Sequence, residues 1–141
     1  MMWIHPALQF TALLFSVYVL YLGYARFQSL HRGVKGVFAW KRHVALGLAV
    51  MIAWLAGFAL GGGMAWWSWH IVMITGWHYK IALTMFPLLI FGLASGYVMD
   101  KRKKKRSALP LAHAINNAVL VLLAACQLAT GIGVIRSLVL S

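Results

Sequence analysis

The sequence predicts an all-α membrane protein, a single transmembrane four-helix bundle over residues 1–141, antiparallel and up-down, with both termini outside. Three observations predict it. Four stretches, at 6–24, 44–62, 81–99 and 109–135, contain no Lys, Arg, Asp or Glu and reach the ~20 apolar residues that a bilayer span needs. Charged residues make up 10% of the chain, against ~25% in an ordinary soluble domain. Finally, Lys and Arg total 13, and only Lys80 and Arg136 lie outside two alternate connections.

Taken in order, the spans are expected at about 6–25, 43–62, 78–99 and 109–135. Pro6 marks the start of the first, and the amino end has neither a basic region nor a small-residue cleavage site, so this span reads as mature structure rather than a removed signal peptide. Arg26, Arg32, Lys35, Lys41 and Arg42 follow it. The second span leads into an uncharged Trp-rich connection at 61–70, which suits the membrane–water interface. Pro87 is expected to kink the third span. The run Lys101-Arg102-Lys103-Lys104-Lys105-Arg106 separates it from the fourth, which opens near Pro110.

Short loops rich in Lys and Arg stay cytoplasmic. Both basic connections therefore fall inside, and a bacterial inner membrane is the expected location. The net charge of +12 is explained by this placement, so no nucleic-acid role is expected. The basic run serves topology and contact with anionic lipid, or alternatively docks an acidic partner. The lone Cys126 excludes an internal disulfide and a CxxCH haem attachment site; it reads as a small apolar filler.

Histidine marks a repeat. His5, His43, His78 and His113 are spaced by 38, 35 and 35 residues, each near the amino end of its span. Successive spans run in opposite directions, so His5 pairs with His78 near the outer face and His43 with His113 near the inner face. Eighteen residues after each histidine comes a glycine: Gly23, Gly61, Gly96 and Gly131. Eighteen residues are five helical turns, about 27 Å. Each glycine thus lies at the level of the other histidine pair, where a missing side chain leaves room for a flat macrocycle. Gly47, Gly57 and Gly92 extend this face. The competing reading is small-residue helix packing.

Two histidines from facing helices can ligate one iron from both sides within a bundle. Zinc would need four clustered ligands, and a proton path would draw on membrane carboxylates, whereas Asp100 is the only acid. The chemistry expected is therefore two non-covalent haem b groups, with iron ligands His5 and His78 outside and His43 and His113 inside. Structural histidines and another metal remain the alternatives. Arg42 and Lys80 are the candidate partners of the haem propionates. Asn117, with Asn116, lies one turn from His113 and either orients a ligand or a quinone, or bonds between helices. His31 is expected to be solvated. His70 is the alternative outer ligand.

The segments His5-Pro6, Arg42-His43-xxx-Gly47, Gly76-Trp77-His78-Tyr79-Lys80 and His113-xx-Asn116-Asn117 resemble the cytochrome b561-like membrane haem proteins, and within that class a small bacterial group called DUF4079. The resemblance covers the four spans. It implies two bis-histidine haems and transmembrane electron transfer, with ligand roles on His5, His43, His78 and His113 only. The chain lacks the soluble catalytic domains of larger relatives, so it is expected to be the membrane subunit of a redox complex, exchanging electrons with quinone or a partner subunit. Other classes compatible with the residues are a haem-free membrane anchor and a haem or metal transporter.

Overall fold

The computed structural model describes residues 3–140, and among them the architecture is entirely helical. Helix α1 covers Ile4–His31, α2 Trp40–Trp69, α3 Trp77–Lys101 and α4 Ala108–Val134, the last continuing into a π-helical turn at Ile135–Val139. All four are long and apolar enough to cross a membrane. At 1.5 Å per residue they measure about 37–45 Å, longer than the ~30 Å hydrocarbon layer. Their ends therefore reach the headgroup region. No helix carries a side-chain cap at its amino end.

The helices outrun the apolar stretches from which they were expected, and most clearly at 61–70. The sequence predicts a connection there, but the segment forms the last turns of α2, including Gly61, Gly62 and Gly63. Glycine weakens a helix by about 1 kcal/mol relative to alanine. An unpaired backbone group in an apolar layer costs several kcal/mol, so the helix continues. It stops at His70, whose φ of 52° is left-handed and whose N–H closes on the Trp66 carbonyl. The connection to α3 shrinks to residues 71–76. Helix α3 runs on through Pro87.

Each helix packs on its two neighbours around a ring, α1–α2–α3–α4–α1, so α1 faces α3 and α2 faces α4 across the diagonals. The buried core is small and central: Ala12, Val50, Met51, Trp54, Met85, Leu89, Leu120 and Ala124. Phe10, Leu14, Phe15, Ile52, Phe86, Phe91 and Leu122 are exposed, the outward apolar surface that a lipid-facing bundle requires. Cys126 is also exposed, so it fills no interior gap. At one end the two basic segments meet, with Lys103 Nζ 3.9 Å from the centre of the Trp40 ring.

Candidate functional site

Each marker histidine sits in the first or second turn of its helix, and each ring turns inward. The rings meet across the diagonals. His5 of α1 and His78 of α3 have ring centres 6.2 Å apart at 77° between planes. His43 of α2 and His113 of α4 have centres 6.4 Å apart at 68°. The second pair lies at the basic end. His70 belongs to neither pair; it is exposed and meets the Trp66 ring edge-on at 5.7 Å. His31 ends α1, exposed, against Phe27.

All four glycines of the repeat lie against these rings, one helix over. A Cβ on Gly61 would stand 3.0 Å from His5 Cε1, and one on Gly23 3.1 Å from His43 Cε1. The equivalent distances are 3.3 Å for Gly131 to His78 and 3.5 Å for Gly96 to His113. At each of the four glycines it is an imidazole of the neighbouring helix that the missing side chain admits. The other three glycines touch no imidazole, and Gly47 and Gly92 line a cavity beside His43 and His113. Gly47 lies against Val19; a Cβ on Gly57 would overlap the Gln9 amide, and one on Gly92 would crowd Asn117, Met51 and Asn116.

The glycines also settle how the rings are held. A helical side chain leans over the turn before it, so a glycine uncovers the carbonyl four residues earlier. Gly61 uncovers Gly57 and Gly23 uncovers Val19. His5 Nδ1–H donates to the Gly57 carbonyl at 2.9 Å, and His43 Nδ1–H to the Val19 carbonyl at 3.1 Å. Because a carbonyl can only accept, both rings carry their proton on Nδ1.

On α3 and α4 a hydroxyl precedes the glycine. Ser95 lies 2.8 Å from His113 Nδ1, and Thr130 lies 3.1 Å from His78 Nδ1. Each hydroxyl has one proton, and each donates it to backbone carbonyls of its own helix: Phe91 and Gly92 for Ser95, Cys126 and Gln127 for Thr130. The hydroxyl oxygens therefore accept from the rings, giving the same Nδ1–H form. In all four histidines the lone pair is left on Nε2. Sequence reasoning missed Ser95 and Thr130; the signal was the Ser-Gly and Thr-Gly dipeptides in two of the four repeats.

The His113 lone pair has a partner already. Asn117 Nδ2 donates to it at 2.9 Å, while Asn117 Oδ1 accepts from Asn116, whose amide also reaches the Leu88 carbonyl at 3.0 Å. Asn117 thus touches a candidate ligand directly.

Two cavities flank the basic-end pair. One, of about 590 Å³, is lined mainly by α2 and α3, with His43, His113, Gly96, Asn117 and Trp54 in its wall. The other, of about 1100 Å³, runs from the same histidines to the basic segments, past Tyr24, Phe27 and Trp40, with Arg26 and residues 102–106 at its mouth. Arg42, by contrast, points its guanidinium to the Tyr18 hydroxyl at 3.3 Å and lines neither cavity. Lys80 lies over the Trp77 ring at 4.8 Å. Among the described residues, no three His, Cys, Asp or Glu side chains converge to hold a metal ion. No family model matches the chain, nor does any curated protein or solved structure.

Proposed function

We propose that the chain carries electrons across the membrane through two bis-histidine haem b groups, one at each imidazole pair. The observation that carries this reading is the pair geometry combined with the tautomer. A metal–imidazole bond is ~2 Å and the ring centre lies ~1.1 Å behind the ligating nitrogen, so two rings on one metal stand ~6 Å apart. The distances of 6.2 and 6.4 Å fit. An imidazole can turn about its own nitrogen–metal bond, so the crossing angles of 77° and 68° do not stand against shared ligation. Each Nδ1–H is already used, which leaves the basic lone pair on Nε2. Two protein ligands without a third suit a cofactor that brings its own equatorial donors, as a porphyrin does.

When bound, such a haem would supply one-electron transfer. The chain does the rest. His5 and His78 hold one site, His43 and His113 the other, at levels about 27 Å apart along the helices. The core of Met51, Trp54, Leu89 and Leu120 fills the space between and keeps water out. The cations at 102–106 and Arg26 offer partners for propionates at the basic end, where Arg42 had been the expected one.

The same reading assigns an antiparallel bundle with the basic end inside and both termini outside. His5 at the start of α1 meets Gly57 and Gly61 late in α2, and His43 at the start of α2 meets Val19 and Gly23 late in α1, which supports alternating directions. The charge rule supports the sidedness. On this basis the chain is a cytochrome b561-like, DUF4079-type subunit of a bacterial inner membrane, exchanging electrons with quinone or a redox partner. One contact favours a second reading, reversible haem carriage: Asn117 satisfies His113 Nε2 without a metal.

A pyridine haemochrome assay with iron quantification on the purified protein tests the proposal. Two haem b per chain, reducible and slow to exchange, are expected. Absence of haem would leave a membrane anchor, and rapid exchange would favour the carrier.

A further inference from the structure

The two members of each imidazole pair are held differently. His5 and His43 donate to backbone carbonyls, which substitution of a side chain cannot remove. His78 and His113 donate to the hydroxyls of Thr130 and Ser95. The difference follows the repeat: the carbonyl four residues before the glycine serves the ring directly on α1 and α2. On α3 and α4 a hydroxyl joins in, bonded to that carbonyl, Gly92 for Ser95 at 3.1 Å and Gln127 for Thr130 at 3.3 Å; the Gln127 carbonyl also meets His78 itself.

We propose that Ser95 and Thr130 are positioning residues for the two haem sites, each fixing the tautomer and donor strength of one ligand: Ser95 through His113 at the basic end, Thr130 through His78 at the other. The inference rests on the dihaem reading and adds residues that the histidine pattern does not contain. Its physical basis is that an imidazole presents Nε2 to a metal only when the proton stays on Nδ1, and an acceptor at Nδ1–H both holds it there and makes Nε2 more basic. Ser95 is buried, so no water stands ready to replace it.

The roles are separable because each hydroxyl touches one pair only. In Thr130→Val the branched side chain keeps its volume, so His78 Nδ1–H loses the hydroxyl acceptor and keeps only the Gln127 carbonyl beside it. Ser95→Cys fills the same place with a weak acceptor, and Ser95→Ala removes the atom outright.

The experiment uses the full chain in detergent, haem-depleted and then titrated with haemin, followed by redox titration. Loss of such an outer-shell partner costs 10–100-fold in metal affinity as a rule. Ser95→Ala and Ser95→Cys are expected to weaken haemin binding at the His43/His113 site by about that factor and to raise its midpoint potential, since a less basic ligand favours the reduced metal. The His5/His78 site stays as in the wild type. Thr130→Val acts on the His5/His78 site instead, and more weakly because the Gln127 carbonyl remains; Thr130→Ser restores wild-type behaviour. Nitrogen-15 NMR of the haem-depleted protein reads the contact independently: the His113 Nδ1 resonance, protonated in the wild type, shifts in Ser95→Ala as its hydrogen bond is lost, and in a Ser95→Ala, Asn117→Ala double variant the proton is shared between both nitrogens. Wild-type affinity and midpoint at both sites in these variants would overturn the inference while leaving two haems in place. A wild-type chain that binds no haem would instead remove the functional reading, and this inference with it.

Discussion

Gly61 of α2 and His5 of α1 are in such close register that a single added methyl would stand 3.0 Å from the imidazole Cε1 and 3.3 Å from its Nδ1. Gly→Ala inside a helix ordinarily gains about 1 kcal/mol of helix stability. Here the same methyl presses on a ring already tied to the Gly57 carbonyl. Gly61→Ala is therefore expected to preserve thermal stability of the haem-free bundle and to weaken the haem at His5/His78, costing about 1–3 kcal/mol of binding as overpacking does. The series should grade with distance. Gly23→Ala at 3.1 Å and Gly131→Ala at 3.3 Å act next, on His43 and His78, while Gly96→Ala at 3.5 Å is near neutral. Haemin titration of the four variants checks the order. Equal loss at both sites in all four would mean that these glycines only pack helices.

Ligand deletions should act in diagonal pairs. His43→Ala and His113→Ala each abolish one and the same haem, because their rings face each other at 6.4 Å. His5→Ala and His78→Ala each abolish the other. His70→Ala leaves both, since His70 lies at the end of α2 against Trp66. Haem content per chain and the difference spectrum of each variant read this directly; a lost haem in His70→Ala would reassign the outer ligand.

The helices were legible in the sequence because apolar runs without charge have one outcome in lipid. So was the pairing, because four histidines at a common place in alternating spans must face one another across the bundle. Residues 61–70 misled because an uncharged, Trp-rich segment also suits a connection at the interface, whereas backbone satisfaction carries the helix on in an apolar layer. Arg42 misled because adjacency to His43 in sequence is about 100° of rotation on a helix, enough to send its guanidinium to Tyr18 on the exposed side. The role of Ser95 and Thr130 was hidden for another reason: a hydroxyl in a helix normally bonds its own backbone, and both do. Only the approach of a neighbouring imidazole gives the oxygen its second task.

Asn117 makes the two sites unequal before any cofactor arrives. Its amide holds the His113 Nε2 lone pair at 2.9 Å, so a metal there must displace a hydrogen bond, whose net worth is about 1 kcal/mol. Asn117→Ala is expected to tighten haemin binding at the His43/His113 site by roughly fivefold, the equivalent of that energy, without effect at His5/His78. Competitive titration in detergent measures it. Weaker binding instead would show that Asn117 orients the bound state rather than guarding the empty one.

Sidedness rests on the end where Lys103 meets Trp40. The only acid near that run is Asp100, 3.3 Å from Lys103, so the cations of 101–106 remain largely uncompensated. Cations in a short loop resist translocation, and the membrane potential opposes moving each of them outward by about 2.3 kcal/mol per 100 mV. Two variants in a Cys126→Ser background test the outcome. Lys104→Cys lies in the basic run, and Ser68→Cys lies in the last turn of α2 at the opposite end. In intact cells, an impermeant maleimide should label Ser68→Cys and spare Lys104→Cys, which reacts only with a permeant reagent or after lysis. The reverse pattern would invert the bundle, place His43 and His113 at the outer face, and exchange the sides from which the two haems take and give electrons. Labelling of both from outside would mean that the two ends do not lie on opposite faces, and the four helices would not each cross the membrane.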